Sequence, residues 1–175
     1  MATTATPYGL VPVKKADGTP YAGARESFLI NAASYNVNIG YGSVVILKDG
    51  YVQLSVNTGS TNNTNNFPAN TADATAYVVT DPGVTFQAQC DAAVAQAFLG
   101  RNTFFASTPD TNDVNTTTGK STLALDATAV DTTAGFKIVG FSTRAGQSAV
   151  GDAFTDVLVK FNNSYHAFAN GDVTS

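Results

Sequence analysis

Residues 44–56 read VVILKDGYVQLSV, two strand-length apolar runs joined by Asp49-Gly50. Asp-Gly between such runs is a strong hairpin signal, because the glycine supplies the positive φ that matches the twist of the flanking strands. The second run alternates, with Val52, Leu54 and Val56 on one face and Gln53 and Ser55 on the other. A period of two marks a half-buried strand. The pattern recurs along the chain. RESFLI (25–30) sets Phe28 and Ile30 on one face. A strand over Tyr77–Thr80 runs into the turn Asp81-Pro82-Gly83, after which Val84, Phe86 and Ala88 alternate with Thr85, Gln87 and Gln89. Residues 102–107, FKIVGFST (136–143) and TDVLVKF (155–161) add further strands, and Leu123 and Leu125 alternate.

Composition agrees with β structure. Glu26 is the only glutamate, where a helical protein would place several on its exposed faces. Charged residues make up 13% of the chain, about half the usual share; polarity comes from Thr, Asn, Ser and Gly. One helix is expected near 91–99. Asp91 would cap it, Ala93, Val94, Ala97 and Phe98 lie at helical spacing, and Gly100 stands where it would stop. The fold class is therefore mainly β: an antiparallel β-barrel or a jelly-roll-like sandwich over residues 25–175, with that one short helix. Polar loops occupy 58–75, 109–121 and 145–154, and the tail after 161 is expected to fray. Phe67 is the lone large apolar group of the first loop. It either pins that loop to the body or is presented to a partner.

The N terminus reads differently. Pro7, Pro12 and Pro20 remove backbone donors, and Gly9, Gly18 and Gly23 loosen the chain between them. Yet Tyr8, Leu10, Val11, Val13 and Tyr21 are residues that favour burial. We read residues 1–24 as an extended arm whose anchors, Pro7, Tyr8, Leu10, Val11, Pro12, Val13 and Tyr21, lie against their own domain or a neighbouring subunit, with docking on a neighbour, its own oligomer or the shell, as the working expectation. Deletion of the arm is expected to leave a folded domain.

Catalytic chemistry finds little support. Cys90 and His166 are the only cysteine and histidine. Cys90 continues the Phe86–Ala88 face, the setting of a buried inert thiol, and His166 lies in a polar tail. Asp110, Asn112 and Asp113 lack the glycine and distal glutamate of an EF-hand loop. Asp152 and Asp156 flank the last strand, where aspartate is common at turns and edges. Gly40-Tyr41-Gly42 is an isolated Gly-x-Gly without a phosphate-binding context. We nominate no catalytic, cofactor-binding or metal-binding residue, and no cofactor. A net charge of −4, with Lys14-Lys15 the only adjacent basic pair, argues against nucleic acid as a partner. No apolar run reaches the length of a membrane span, and no signal peptide is read at the N terminus. The three Asn-x-Ser/Thr sequons, at 62, 115 and 162, then read as polar turns.

Several stretches resemble one family. Tyr8-Gly9-Leu10-Val11-Pro12 followed by Gly18-Thr19-Pro20-Tyr21, then VTFQAQCDA (84–92), FKIVGF (136–141) and VGDAFTDVLVKF (150–161), are similar to head decoration, or cement, proteins of tailed bacteriophages. The resemblance implies a structural virion protein, not an enzyme. It would be made in the host cytoplasm and bind the outer face of the head. There it would bridge copies of the major capsid protein as a homo-oligomer, a trimer first and a dimer second. Two alternatives are carried: a glycan-binding or adhesive β-module using Phe67 and nearby tyrosines, and a tail or neck structural protein.

Overall fold

The structure, a computed structural model, describes residues 4–30, 38–48, 50–55, 74–107, 113–128, 134–143 and 148–166. The strands in chain order are β1 (Val11–Lys14), β2 (Glu26–Ile30), β3 (Val45–Lys48), β4 (Tyr51–Leu54), β5 (Ala74–Val78) and β6 (Thr85–Gln89). They continue with β7 (Asn102–Thr103), β8 (Val114–Asn115), β9 (Lys120–Ser121), β10 (Phe136–Phe141) and β11 (Asp156–Phe161). Every strand pair is antiparallel. The main sheet has five strands in the order β1-β6-β11-β10-β7. β2 pairs with β5, β3 with β4 and β8 with β9, and none of these sheets closes into a barrel among the described residues.

The Asp49-Gly50 hairpin forms in the register that a two-residue loop dictates, from Lys48 opposite Tyr51 to Val45 opposite Leu54. Gly50 adopts φ +80°, the left-handed region that favours glycine. The Asp81 turn also forms: its carbonyl accepts from Val84 N–H and its carboxylate from Gly83 N–H. β5 starts at Ala74, inside the stretch read as loop, so the strand expected over Tyr77–Thr80 lies a few residues earlier. Val56 and Phe67 lie outside the described residues.

Two apolar clusters hold these elements. The larger gathers on the inner face of the main sheet and includes Leu10, Phe86, Ala88, Cys90, Val94, Phe136, Ile138, Val157 and Val159. There the Phe136 and Phe161 rings pack 4.9 Å apart, and Phe86 meets Phe161 edge-on at 5.6 Å. Aromatic pairs in these arrangements stabilise a core beyond the area they bury. The smaller cluster joins the other two strand pairs through Ile30, Val52 and Leu54, with Phe28, Val45, Leu47, Ala76 and Val78 against them.

Two expectations are corrected. The helix near 91–99 is a single 3₁₀ turn at Gln96–Phe98. Asp91 spends its carboxylate on Ala127 N–H instead of a cap, and Val94 N–H donates to Thr155 Oγ1, so long-range bonds take the donors and acceptors that a helix would need. A segment this short gains too little from its own turns to compete. The tail beyond 161 is also held as far as His166. Asn162 donates from its backbone and side chain to Gly135 and Ala134 carbonyls, and the His166 ring meets Phe161 edge-on at 5.5 Å.

Candidate partner-binding cleft

The residues read as a docking arm lie against the chain's own domain. β1 is an edge strand of the main sheet, with Val11 opposite Gln87 and Pro12 opposite Phe86. An edge is where a sheet tolerates proline, since the missing N–H then costs no ladder bond. Leu10 is buried in the main core. Tyr21 packs against that core, its hydroxyl donating to Ala24 O and its N–H to Val13 O. The segment 15–21 thus folds back along the open side of β1.

Ahead of β1 the chain threads a narrow passage. Gly9 N–H donates to Leu123 O and Leu10 N–H to Gly42 O. A Cβ on Gly9 would collide with the Gly42 carbonyl oxygen and lie 2.6 Å from Ser121 Cβ. Tyr8 then reaches the outer face of the main sheet. Its hydroxyl donates to Asp156 Oδ1 at 2.6 Å and accepts from Gln87 Nε2 at 2.7 Å. Asp156 Oδ2 accepts from Ser148 N–H, and Gln89 Oε1 accepts from Thr6 N–H. Asp156, Gln87 and Gln89 are buried, and this network gives each of them a partner. Burial first, and the Asp156 hydrogen bond second, push the Tyr8 phenol far above its ordinary pKa. The phenol keeps its proton in the folded chain, and the arrangement holds the N terminus in place. Tyr8, Leu10, β1 and Tyr21 of the expected arm thus all pack on the chain's own β domain.

The other candidates separate. Cys90 is buried in the core, and desolvation pushes its thiol up to about 12, the setting read for it from the alternation. Asp152 accepts from Ala149 N–H while Asp156 serves Tyr8 and Ser148, so each carboxylate has its own structural donors. Among the described residues, no three His, Cys, Asp or Glu side chains gather as a metal site.

What the sequence did not reveal is a cleft of about 730 Å³ between the two apolar clusters. Leu10, just ahead of β1, with Phe86 and Phe161 from the main sheet, forms one wall, and Phe28 and Val52 form the other. The rim carries some of the most exposed apolar groups of the molecule: Tyr77 (70% exposed), Tyr41 (53%), Tyr165 (52%) and Ile46 (41%). Among the described residues, Arg25 is the only Lys or Arg in the lining, and no Asp, Glu, Asn or Gln lines it. His166 stands beside it with its pKa lowered by burial. Among the described residues, four tyrosines (Tyr21, Tyr41, Tyr77 and Tyr165) and one arginine stand around the apolar hollow. Nothing in the sequence pattern brings Tyr41, Tyr77 and Tyr165 together, because they come from three distant segments. In comparisons with known proteins, no family model, no curated protein and no solved structure matches the chain.

Proposed function

We propose that this chain is a structural virion protein: a decoration protein that binds the outer surface of a tailed-bacteriophage head and cements neighbouring capsid subunits. The observation that carries the reading is the apolar cleft rimmed by exposed tyrosines, which suits a protein partner. The sequence resemblance supplies the kind of partner, the major capsid protein. We read the architecture as sandwich-like, the five-stranded sheet facing the β2–β5 and β3–β4 pairs, and the oligomer as a trimer before a dimer. No catalysis, nucleic acid or membrane enters the reading. Five or so large apolar groups buried on the shell would each contribute roughly 1.5–3 kcal/mol before ordering costs. Symmetric oligomers would multiply weak contacts through avidity.

The test uses phage heads stripped of, or assembled without, this protein. Purified protein added back is expected to sediment with the heads, to reach hundreds of copies per head, and to raise their resistance to heat. Absence of binding overturns the reading, whereas a dozen copies at one vertex points to a tail or neck protein. The exposed tyrosines also suit stacking on sugar faces. A glycan array with reproducible hits, together with no affinity for heads, would move the assignment to the adhesive alternative.

A further inference from the structure

Two strands meet the cleft edge-on. Residues 44–47 and 76–80 line it as unbroken runs, whereas β2 contributes only Phe28 and β4 only Val52. A strand that shows one face to a cavity offers every second residue; one that shows its edge offers consecutive residues and the backbone between them. Among the described residues β5 is bonded to β2 alone, and none of them pairs with its other side. A bare strand edge beside an apolar hollow is a template for another strand. Charge completes the picture. Arg25 directly precedes Glu26, which stands opposite Val78, so its guanidinium belongs to the same end of β5. Arg25 is exposed, and its one hydrogen bond among the described residues is a long one to Gly23 O at 3.4 Å.

We infer that the cleft receives an extended, mainly apolar segment of the shell protein, added as a strand along the open edge of β5, with an acidic side chain set against Arg25. The inference rests on the cement reading and names the contact through which it works. Backbone bonds to β5 hold the segment, its apolar side chains enter the hollow toward Phe28 and Phe161, and Tyr77 and Tyr165 close over it. The acidic residue fixes register and direction, because arginine binds a carboxylate through two parallel N–H bonds.

The experiment places a photoreactive benzoylphenylalanine at Tyr77 and, as a control, at Lys137, an exposed position on the outward face of β10. Each protein is mixed with undecorated heads and irradiated. Position 77 is expected to crosslink to one segment of the shell protein that carries Asp or Glu within a few residues, and position 137 to none. Arg25→Glu, a surface change, is expected to weaken head binding at least tenfold while leaving the melting temperature unchanged. Failure of the wild-type protein to bind heads removes the cement reading itself. Binding of wild type and Arg25→Glu with equal affinity overturns the cleft assignment alone and leaves cementing intact. Crosslinks from 77 to a second copy of this chain, or from 137 only, overturn it as well.

Discussion

At Gly9 the chain crosses itself. Its φ of +70° lies in the left-handed region, and the space where a side chain would sit is already taken by Gly42 O and Ser121. The backbone conformation alone makes Gly9→Ala unfavourable by about 1–2 kcal/mol. The collision adds to that, because the opposing atoms belong to backbone and to a buried serine. Gly9→Ala is expected to lower the urea midpoint sharply, whereas Gly18→Ala, which meets nothing within 4 Å, should show only the backbone cost. Tyr8 can be tested through its proton. Tyr8→Phe leaves Asp156 and Gln87 short of a partner, a loss of about 1–3 kcal/mol for a buried polar group. The phenol's pKa is raised on folding, so its contribution is fully present below about pH 10, where the unfolded tyrosine titrates, and is lost as pH rises above that. Wild type should therefore lose stability on going from pH 9 to 11 more steeply than Tyr8→Phe, read by chemical denaturation at each pH. An equal slope for both would show that the Tyr8 proton is not linked to folding.

Among the elements, β1 shows where sequence reading succeeded and where it stopped. The prolines and apolar residues of 7–13 correctly indicate an extended segment seeking burial. They carry no information about whose surface supplies it. The decision lies with Gln87, Gln89 and Asp156, polar residues on the outward positions of β6 and β11 that need cover and find Thr6, Tyr8 and Ser148. Strand positions were legible where one face is apolar and the turn chemistry is strong, as in β3–β4, β6, β10 and β11. Residues 91–99 misled because helical spacing and a good cap were present, yet Ala127 and Thr155, both far away in sequence, claimed the same groups. Removal of residues 1–14 takes away an edge strand, the buried Leu10 and the Tyr8 hydroxyl together. The shortened chain is expected to be insoluble or to lack a cooperative thermal transition. A soluble fragment with an unchanged circular dichroism spectrum would restore the arm as a separable element. Leu10→Ala, a milder version of the same loss, should cost about 2–5 kcal/mol.

For the molecule as a whole, the cleft was beyond the reach of pattern. It is a gap between two clusters whose walls come from segments scattered from Leu10 to His166, and no periodicity encodes a gap. Its rim was equally hidden, since Tyr41, Tyr77 and Tyr165 come from three distant segments. Filling the hollow provides a test at this scale: Ala76→Phe, on the wall formed by β5, is expected to weaken head binding tenfold or more while leaving stability within about 1–3 kcal/mol of wild type. Head binding that survives this change would separate cementing from the cleft.

The hydroxyl of Tyr8 finds its acceptor 148 residues downstream, and β1 completes a sheet whose central strands lie between positions 85 and 161. A ribosome releases residue 8 many seconds before residue 156 exists, at about 5–20 residues per second. The head of the polypeptide must therefore wait, greasy and unpaired, until nearly all the rest has been made. Sheets assembled from such distant partners form slowly. Production of the protein should be governed by how well the cell shields that waiting stretch, so that cooler growth raises the soluble yield.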